Sequence, residues 1–209
     1  MDIAIHTNFT LPHQLKYAQH LSVGFKRHGH KTTITQDIHR AADIHVVLGP
    51  HYAKERWLEH PHVILLDRAY YRPDPINVSL GWMNSNGGRD FKIGCGRIPP
   101  IRKNKRTTGG TIFLADYNGP MERADTVRLH PSNEKPETGL IDALYGHKRA
   151  IGYKTTSLVT AGLEGLEVIC RDKQNIMYKN NWIDLLPYAD WSYEEIESGE
   201  AWEHLEQSL

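Results

Sequence analysis

Apolar residues along the first hundred positions gather into short runs, each ended by a polar cluster, with helical spacing filling the intervals. Asp2-Ile3-Ala4-Ile5-His6 is the first run and stops at Thr7-Asn8-Phe9-Thr10. Pro12, whose missing N–H suits the first turn of a helix, precedes Leu15, Ala18, Leu21 and Phe25, which share a helical face until Gly29. Strands are predicted over Lys31–Thr35, which is rich in β-branched residues, and over Ile44–Leu48, which ends in Gly49-Pro50-His51. A helix carrying Trp57 and Leu58 leads to a fourth strand, His62–Leu66, ending in Asp67-Arg68. Near-continuous apolar strands separated by helices predict a parallel sheet covered on both faces. Val78–Trp82 and Phe91–Gly94 flank Asn84-Ser85-Asn86-Gly87-Gly88 and read as an edge strand or hairpin.

The segment 97–110 interrupts this alternation with prolines, glycines and a concentration of Lys and Arg, the composition of a linker or exposed loop. A second alternation then begins. Strands are predicted at Thr111–Ala115, Thr126–Leu129, Ala150–Gly152 and Leu166–Cys170, with helices over Thr138–Tyr145 and Thr156–Gly165. From Trp182 onward, Trp191, Ile196, Trp202 and Leu205 are spaced for an amphipathic helix. The expected organisation is an α/β lobe over 1–100, a linker over 101–110, a second α/β lobe over 111–181 and an acidic helical tail over 182–209.

The 209 residues, 39% hydrophobic and 24% charged, suit one large globular domain or two small ones. Lys+Arg and Asp+Glu both number 25, yet the zero net charge is a cancellation. Residues 1–106 carry 16 basic and 8 acidic side chains, a net of +8, and residues 107–209 carry the opposing −8. The eight acids from Trp182 onward supply all of that −8, because residues 107–181 balance. A first half so basic would attract phosphate, so DNA enters as a candidate partner. Arg97, Arg102, Lys103, Lys105 and Arg106 form its densest basic stretch, and Tyr70, Tyr71 and Trp82 could stack on an exposed base.

Mean hydropathy is −0.55 and no apolar run is long enough to span a bilayer. Met1-Asp2 leads directly into a strand without a basic n-region, so neither a signal peptide nor a membrane partner is expected. Cys95 and Cys170 form no CxxC pair, which favours two reduced structural thiols and a cytoplasmic location. Ten of the thirteen histidines lie between His6 and His62. The spacing in His28-Gly29-His30 and His60-Pro61-His62 does not fit helical zinc motifs, and no metal site is expected. GxSxG, Walker A and complete GxGxxG motifs are absent, which removes motif support for serine hydrolysis, P-loop phosphotransfer and dinucleotide binding.

In open α/β sheets, ligands bind outside the carboxyl ends of the strands. This chain places His6-Thr7-Asn8, Gly49-Pro50-His51, Asp67-Arg68, Asp116, His130-Pro131-Ser132 and Gly152-Tyr153-Lys154-Thr155-Thr156-Ser157 at those ends. Amides at the start of the helix after Gly152, with the Thr155, Thr156 and Ser157 hydroxyls and the Lys154 ammonium, suit a phosphate or diphosphate. The same Thr-Thr-Ser run also reads as a simple helix cap.

The order Arg128-Leu129-His130-Pro131, helix, Gly152, Ser157-Leu158-Val159-Thr160-Ala161, Gly165-Leu166-Glu167-Val168-Ile169 resembles the donor-binding lobe of GT-B-fold glycosyltransferases. The stretches VVLGPHYAKERW and DLLPYADWSYEEIESGEAWEHL look similar, in general appearance, to small glycosyltransferase-like proteins encoded by tailed phages. The resemblance implies two facing Rossmann-like lobes in a compact α/β fold, a nucleotide-sugar co-substrate and no further cofactor. It implies donor contacts from His130, Ser132, Lys154, Thr155, Thr156, Ser157 and Thr160. Two positions depart from the pattern: Thr160 stands where many families have a ribose-binding glutamate, and Glu167 replaces a proline.

The implied reaction is metal-independent transfer of a hexosyl or pentosyl group to an acceptor hydroxyl, most plausibly that of a hydroxymethylated pyrimidine in phage DNA. The host cytoplasm is then the implied location. The acceptor would sit on the first lobe against His6, Asn8, Arg68, Tyr70, Arg102 and Lys103. A carboxylate or histidine must take the hydroxyl proton; Asp67, at the end of an apolar strand, is the first choice, and His51 the next, with His6. A sugar-nucleotide epimerase or hydrolase on the same scaffold, and a non-catalytic nucleotide- or DNA-binding module, are the competing readings.

Overall fold

The computed structural model describes residues 1–48, 54–68, 77–83, 89–90, 109–173, 175–186 and 190–209. In chain order the elements are β1 (Asp2–His6), α1 (Pro12–Arg27), β2 (Lys31–Thr35), β3 (Ile44–Leu48), α2 (Lys54–Leu58), β4 (Val63–Arg68), β5 (Asn77–Met83) and β6 (Arg89–Asp90). There follow β7 (Thr111–Leu114), β8 (Thr126–Arg128), α3 (Leu140–Leu144), β9 (Arg149–Gly152), α4 (Ser157–Leu163) and β10 (Glu167–Cys170). A 3-10 turn (Ile176–Tyr178), α5 (Trp182–Leu185), β11 (Trp191–Ser192), α6 (Tyr193–Ser198) and α7 (Glu200–Glu206) complete the chain. The predicted strand Phe91–Gly94, the loop Asn84–Gly88, Cys95 and the linker 101–108 lie outside the described residues.

The chain divides into two units, residues 1–96 with 187–209, and residues 97–186. Each is α/β and built on a Rossmann-like parallel core. In the first, β2, β1, β3 and β4 are adjacent and parallel, with Ile3 opposite both Thr32 and Ile44 and Leu48 opposite Leu66. β5 then runs antiparallel to β4, and β11 and β6 both pair with β5. The strand order reverses between β1 and β3, because β2 lies on one side of β1 and β3 on the other. The second unit repeats the plan in four parallel strands, in the order β10-β9-β7-β8.

The two faces of the first sheet have different cores. Ile3, Ile5, Ile44, Val46, Ile64 and Leu66 are buried in one cluster with Leu21 and Phe25 of α1 and Trp202 of α7. On the other face, Val47, Val63 and Leu65 pack with Trp57 of α2. The odd–even alternation along a strand sends neighbouring side chains to opposite faces, which is why both faces need cover.

The C-terminal segment is part of this first unit. It is not the single amphipathic helix the spacing predicts, and α5 at its start belongs to the second unit. Trp191 sits in a strand opposite Val78. Ser192 and Glu195 then form a reciprocal capping box, at 3.3 Å and 2.7 Å, that starts α6. Gly199, with φ of +94°, stops α6 and admits α7. The contact of α6 with α1 is close: a Cβ on Gly24 would collide with the Ile196 carbonyl. Trp202 meets Phe25 edge to face at 5.2 Å, and the Trp82 indole N–H donates to the Leu205 carbonyl at 2.9 Å.

This packing redistributes the charge. The first unit holds 11 basic and 15 acidic side chains, a net of −4, because seven acids of the C-terminal segment fold into it and residues 97–106 fall in the other. The +8 of residues 1–106 is a property of the linear chain, not of the folded unit. Among the described residues, no helix is long and apolar enough to cross a membrane.

Candidate functional site

Reversal of strand order between β1 and β3 opens a crevice at their carboxyl ends. A pocket of about 470 Å³ lies there. His6, Thr7 and Asn8 from the end of β1, Leu48 from β3 and Asp67 from β4 line it, with Gln14 and Tyr17 from the first turns of α1. Three residues singled out in the sequence, His6, Asn8 and Asp67, are therefore brought together although 61 positions separate the first from the last. Asn8 organises the entry to α1: its side-chain oxygen accepts from the Thr10 amide at 2.9 Å and hydroxyl at 2.8 Å.

Asp67 is exposed rather than partly buried. Its side chain is 55% accessible and pairs with Arg89 of β6 at 3.6 Å. The backbone of Arg68 ends β4, and its side chain lies outside the description, as do His51, Tyr70, Tyr71, Arg102 and Lys103. Trp82 is buried in the core, its N–H held by Leu205, and offers no stacking face.

His6 is 7% exposed and belongs to an aromatic cluster beneath the pocket. Its Nε2 is hydrogen-bonded to Nδ1 of His45 at 3.0 Å, and both rings contact Trp57, at 4.7 Å and 5.3 Å. Burial, reinforced by repulsion from His45, holds His6 down at about 4. Burial, with the nearby His60 and Arg56, does the same to His45. Both rings are neutral at pH 7, each with one donor and one acceptor nitrogen. His45, Gln14, Tyr17 and Trp57 escape the sequence reading. A polar residue inside the apolar run Ile44–Leu48 is the signal that could have flagged His45.

In the second unit, the carboxyl ends of β7 and β9 lie at the equivalent reversal. Gly152 fits there because a Cβ would press on the Leu114 carbonyl. The turn that follows is tied internally. Asp116 accepts from the Lys154 amide at 2.9 Å, Thr155 Oγ1 accepts from the Ser157 amide at 3.2 Å, and the carbonyls of Thr155 and Thr156 accept from Leu158 and Val159. A carboxylate thus takes an amide that the sequence offered to a phosphate. The side chains of Lys154 and Thr156 are exposed, and those of Thr155, Ser157 and Thr160 are half-buried.

Tyr153 is clamped from several sides. Its hydroxyl donates to Glu122 at 2.8 Å, Arg171 pairs with both oxygens of that carboxylate, and the Tyr153 carbonyl accepts from Asn175 and from the Cys170 thiol. The Arg171 and Tyr153 hydrogen bonds hold the Glu122 carboxyl below its usual range, and burial pushes the Cys170 thiol up to about 11. His130 is half-buried and accepts from the Ser132 amide at 3.2 Å, and Ser132 is exposed. Among the described residues, no group of three or more His, Cys, Asp or Glu is placed to hold a metal ion.

No family model matches the chain, and no curated protein matches it. Among solved structures, the KpsC beta Kdo 2,4 transferase of Thermosulfurimonas dismutans is similar over 90% of this chain and 90% of its own, at 12% identity and a TM-score of 0.48.

Proposed function

We propose that the chain is a glycosyltransferase, with the first unit holding an acceptor hydroxyl and the second a nucleotide-sugar. The observation that carries this reading is the pocket where strand order reverses in the first unit, which gathers His6 and Asn8 from the end of β1 and Asp67 from the end of β4. A hydroxyl that becomes a nucleophile needs a proton acceptor in reach, and Asp67, exposed and ionically paired, is the carboxylate in that pocket. Arg89 pairs with Asp67 and orients it without burying it. Asn8 and Gln14 supply the amide groups that align a hydroxylated ligand.

For the donor, the support is the run His130 to Thr160 and its position at the strand ends of a second Rossmann-like sheet. There, the exposed Lys154 ammonium would neutralise a leaving diphosphate, and Thr160 would hydrogen-bond a ribose hydroxyl from α4. The transfer requires no metal in this scheme.

The acceptor proposed is a small hydroxylated molecule. A hydroxymethylated pyrimidine in DNA is the second reading, and the folded charge bears on it. A unit of net −4 does not attract a polyanion, and a duplex base would have to be flipped out to enter a pocket of about 470 Å³. The test is calorimetric titration with UDP- and GDP-sugars against the intact chain and the Lys154→Ala chain. Saturable binding that weakens on substitution supports the reading. Absence of binding to every nucleotide-sugar would overturn it.

A further inference from the structure

We propose that His6 and His45 form a proton relay, a pair of imidazoles that passes a proton along one face of the sheet between two pockets of the first unit. The proposal rests on the reading of the first pocket as the acceptor site. Its geometry follows from strand register. Ala4 pairs with His45, and His6 lies two residues further along β1, so both imidazoles emerge on the same face. The small Ala4 side chain leaves room for the diagonal contact, and Trp57 covers both rings.

The two residues line different cavities. His6 lines the pocket at the carboxyl ends of the strands. His45 lines a second one, of about 530 Å³, at the amino end of β3 together with Asp43, His60 and His62. The inner nitrogens, His6 Nε2 and His45 Nδ1, are 3.0 Å apart and share one hydrogen. The outer ones, His6 Nδ1 and His45 Nε2, are buried without a hydrogen-bond partner. The charged and titratable groups around the pair are Asp37, Arg56 and His60; Asp37 favours a proton on His6, whereas Arg56 and His60 oppose it on both rings.

The step conserves charge and atoms. In the starting state His6 Nε2–H donates to His45 Nδ1, His45 carries its single N–H hydrogen on Nε2, and His6 Nδ1 is a lone pair. A proton delivered to His6 Nδ1 from the first pocket lets the shared hydrogen cross to His45 Nδ1, and the hydrogen on His45 Nε2 departs into the second pocket, where the His60 ring centroid lies 4.3 Å from that of His45. Both rings are neutral before and after. Each state fixes both tautomers together: both rings carry hydrogen on Nε2, or both on Nδ1.

That coupling is measurable without any substrate. The full chain labelled with nitrogen-15 histidine is observed by long-range proton–nitrogen NMR at pH 7 over a range of temperatures. Assignment uses His6→Gln and His45→Gln, or contacts to the Trp57 ring should either variant fail to fold. The relay predicts neutral rings, nitrogen shifts intermediate between the two tautomers, and equal tautomer fractions on His6 and His45 at every temperature. Unequal fractions, a charged ring, or one tautomer at all temperatures would overturn it. In a transfer assay His45→Gln should lower kcat about tenfold and move the pH profile with little change in KM, as expected for loss of proton transfer. An unchanged kcat and pH profile would contradict the relay's part in transfer. Coupled tautomers in a chain that transfers no sugar would leave the relay standing and remove the glycosyltransferase reading alone.

Discussion

His6 and His45, 39 positions apart, are joined ring to ring by a 3.0 Å hydrogen bond on the α2-covered face of the first sheet. Each is held well below the ordinary histidine value of 6.5, at about 4. The unfolded chain therefore binds more protons than the folded one between pH 6.5 and about 4, and stability must fall as pH drops through that window. Each tenfold loss of proton affinity corresponds to about 1.4 kcal/mol, so the pair makes the fold acid-sensitive by several kcal/mol. Urea unfolding at pH 7.5, 6, 5 and 4 should show the decline. His45→Phe should reduce the slope, because one ring is gone and the other loses its charged-state neighbour.

Asp67 and Arg89 make a separate prediction. If Asp67 accepts the hydroxyl proton, Asp67→Asn should lower the rate of transfer by about 100-fold or more while leaving acceptor binding nearly intact. Steady-state kinetics with a varied acceptor separates kcat from KM. Loss confined to KM would make Asp67 a binding residue and move the search for the base to His51 or His6.

Trp202 anchors the C-terminal segment. It is 2% exposed and packs against Phe25 and His30 on the α1 side of the sheet. Trp202→Ala should destabilise the first unit by about 3–5 kcal/mol, the range for a truncated buried aromatic. Thermal unfolding followed by near-ultraviolet circular dichroism checks this. A change below about 1 kcal/mol would mean that α7 does not contribute to the core.

Gly24 tests the close crossing of α1 and α6. Alanine is the better helix former by about 0.5–1 kcal/mol at an unobstructed position. Here the added methyl meets the Ile196 carbonyl, so Gly24→Ala should destabilise by about 1–3 kcal/mol. Chemical denaturation at pH 7.5 gives the sign directly.

β1, β3 and β4 were legible in sequence because they are buried on both faces and read as apolar runs ended by polar turns, whereas the half-buried edge strand β2 was legible from its β-branched residues. β1, β2 and β3 fall where those runs predict, and β4 begins one residue later. The C-terminal segment was not legible in the same way. Trp191, Ile196, Trp202 and Leu205 keep helical spacing across a strand, two helices and a left-handed Gly199, and only long-range packing distinguishes these pieces. Charge counted along the chain misled for the same reason, since the acids after Trp182 return to the basic half. His45 reads as an oddity in an apolar strand until the register with Ala4 sets it beside His6. The pocket residues His6, Asn8 and Asp67 were legible because strand ends in such sheets are where ligands bind, whichever chemistry follows.

Mass spectrometry of the acceptor reads sugar transfer itself. The intact chain is incubated with nucleotide-sugars and two acceptor sets, small hydroxylated molecules and DNA containing hydroxymethylated pyrimidines. A small acceptor should gain the mass of one glycosyl residue with stoichiometric release of the nucleotide, and both should be lost in the Asp67→Asn chain. Consumption of nucleotide-sugar with no glycosylated product in either set, or equal transfer by Asp67→Asn, would contradict the proposed transfer.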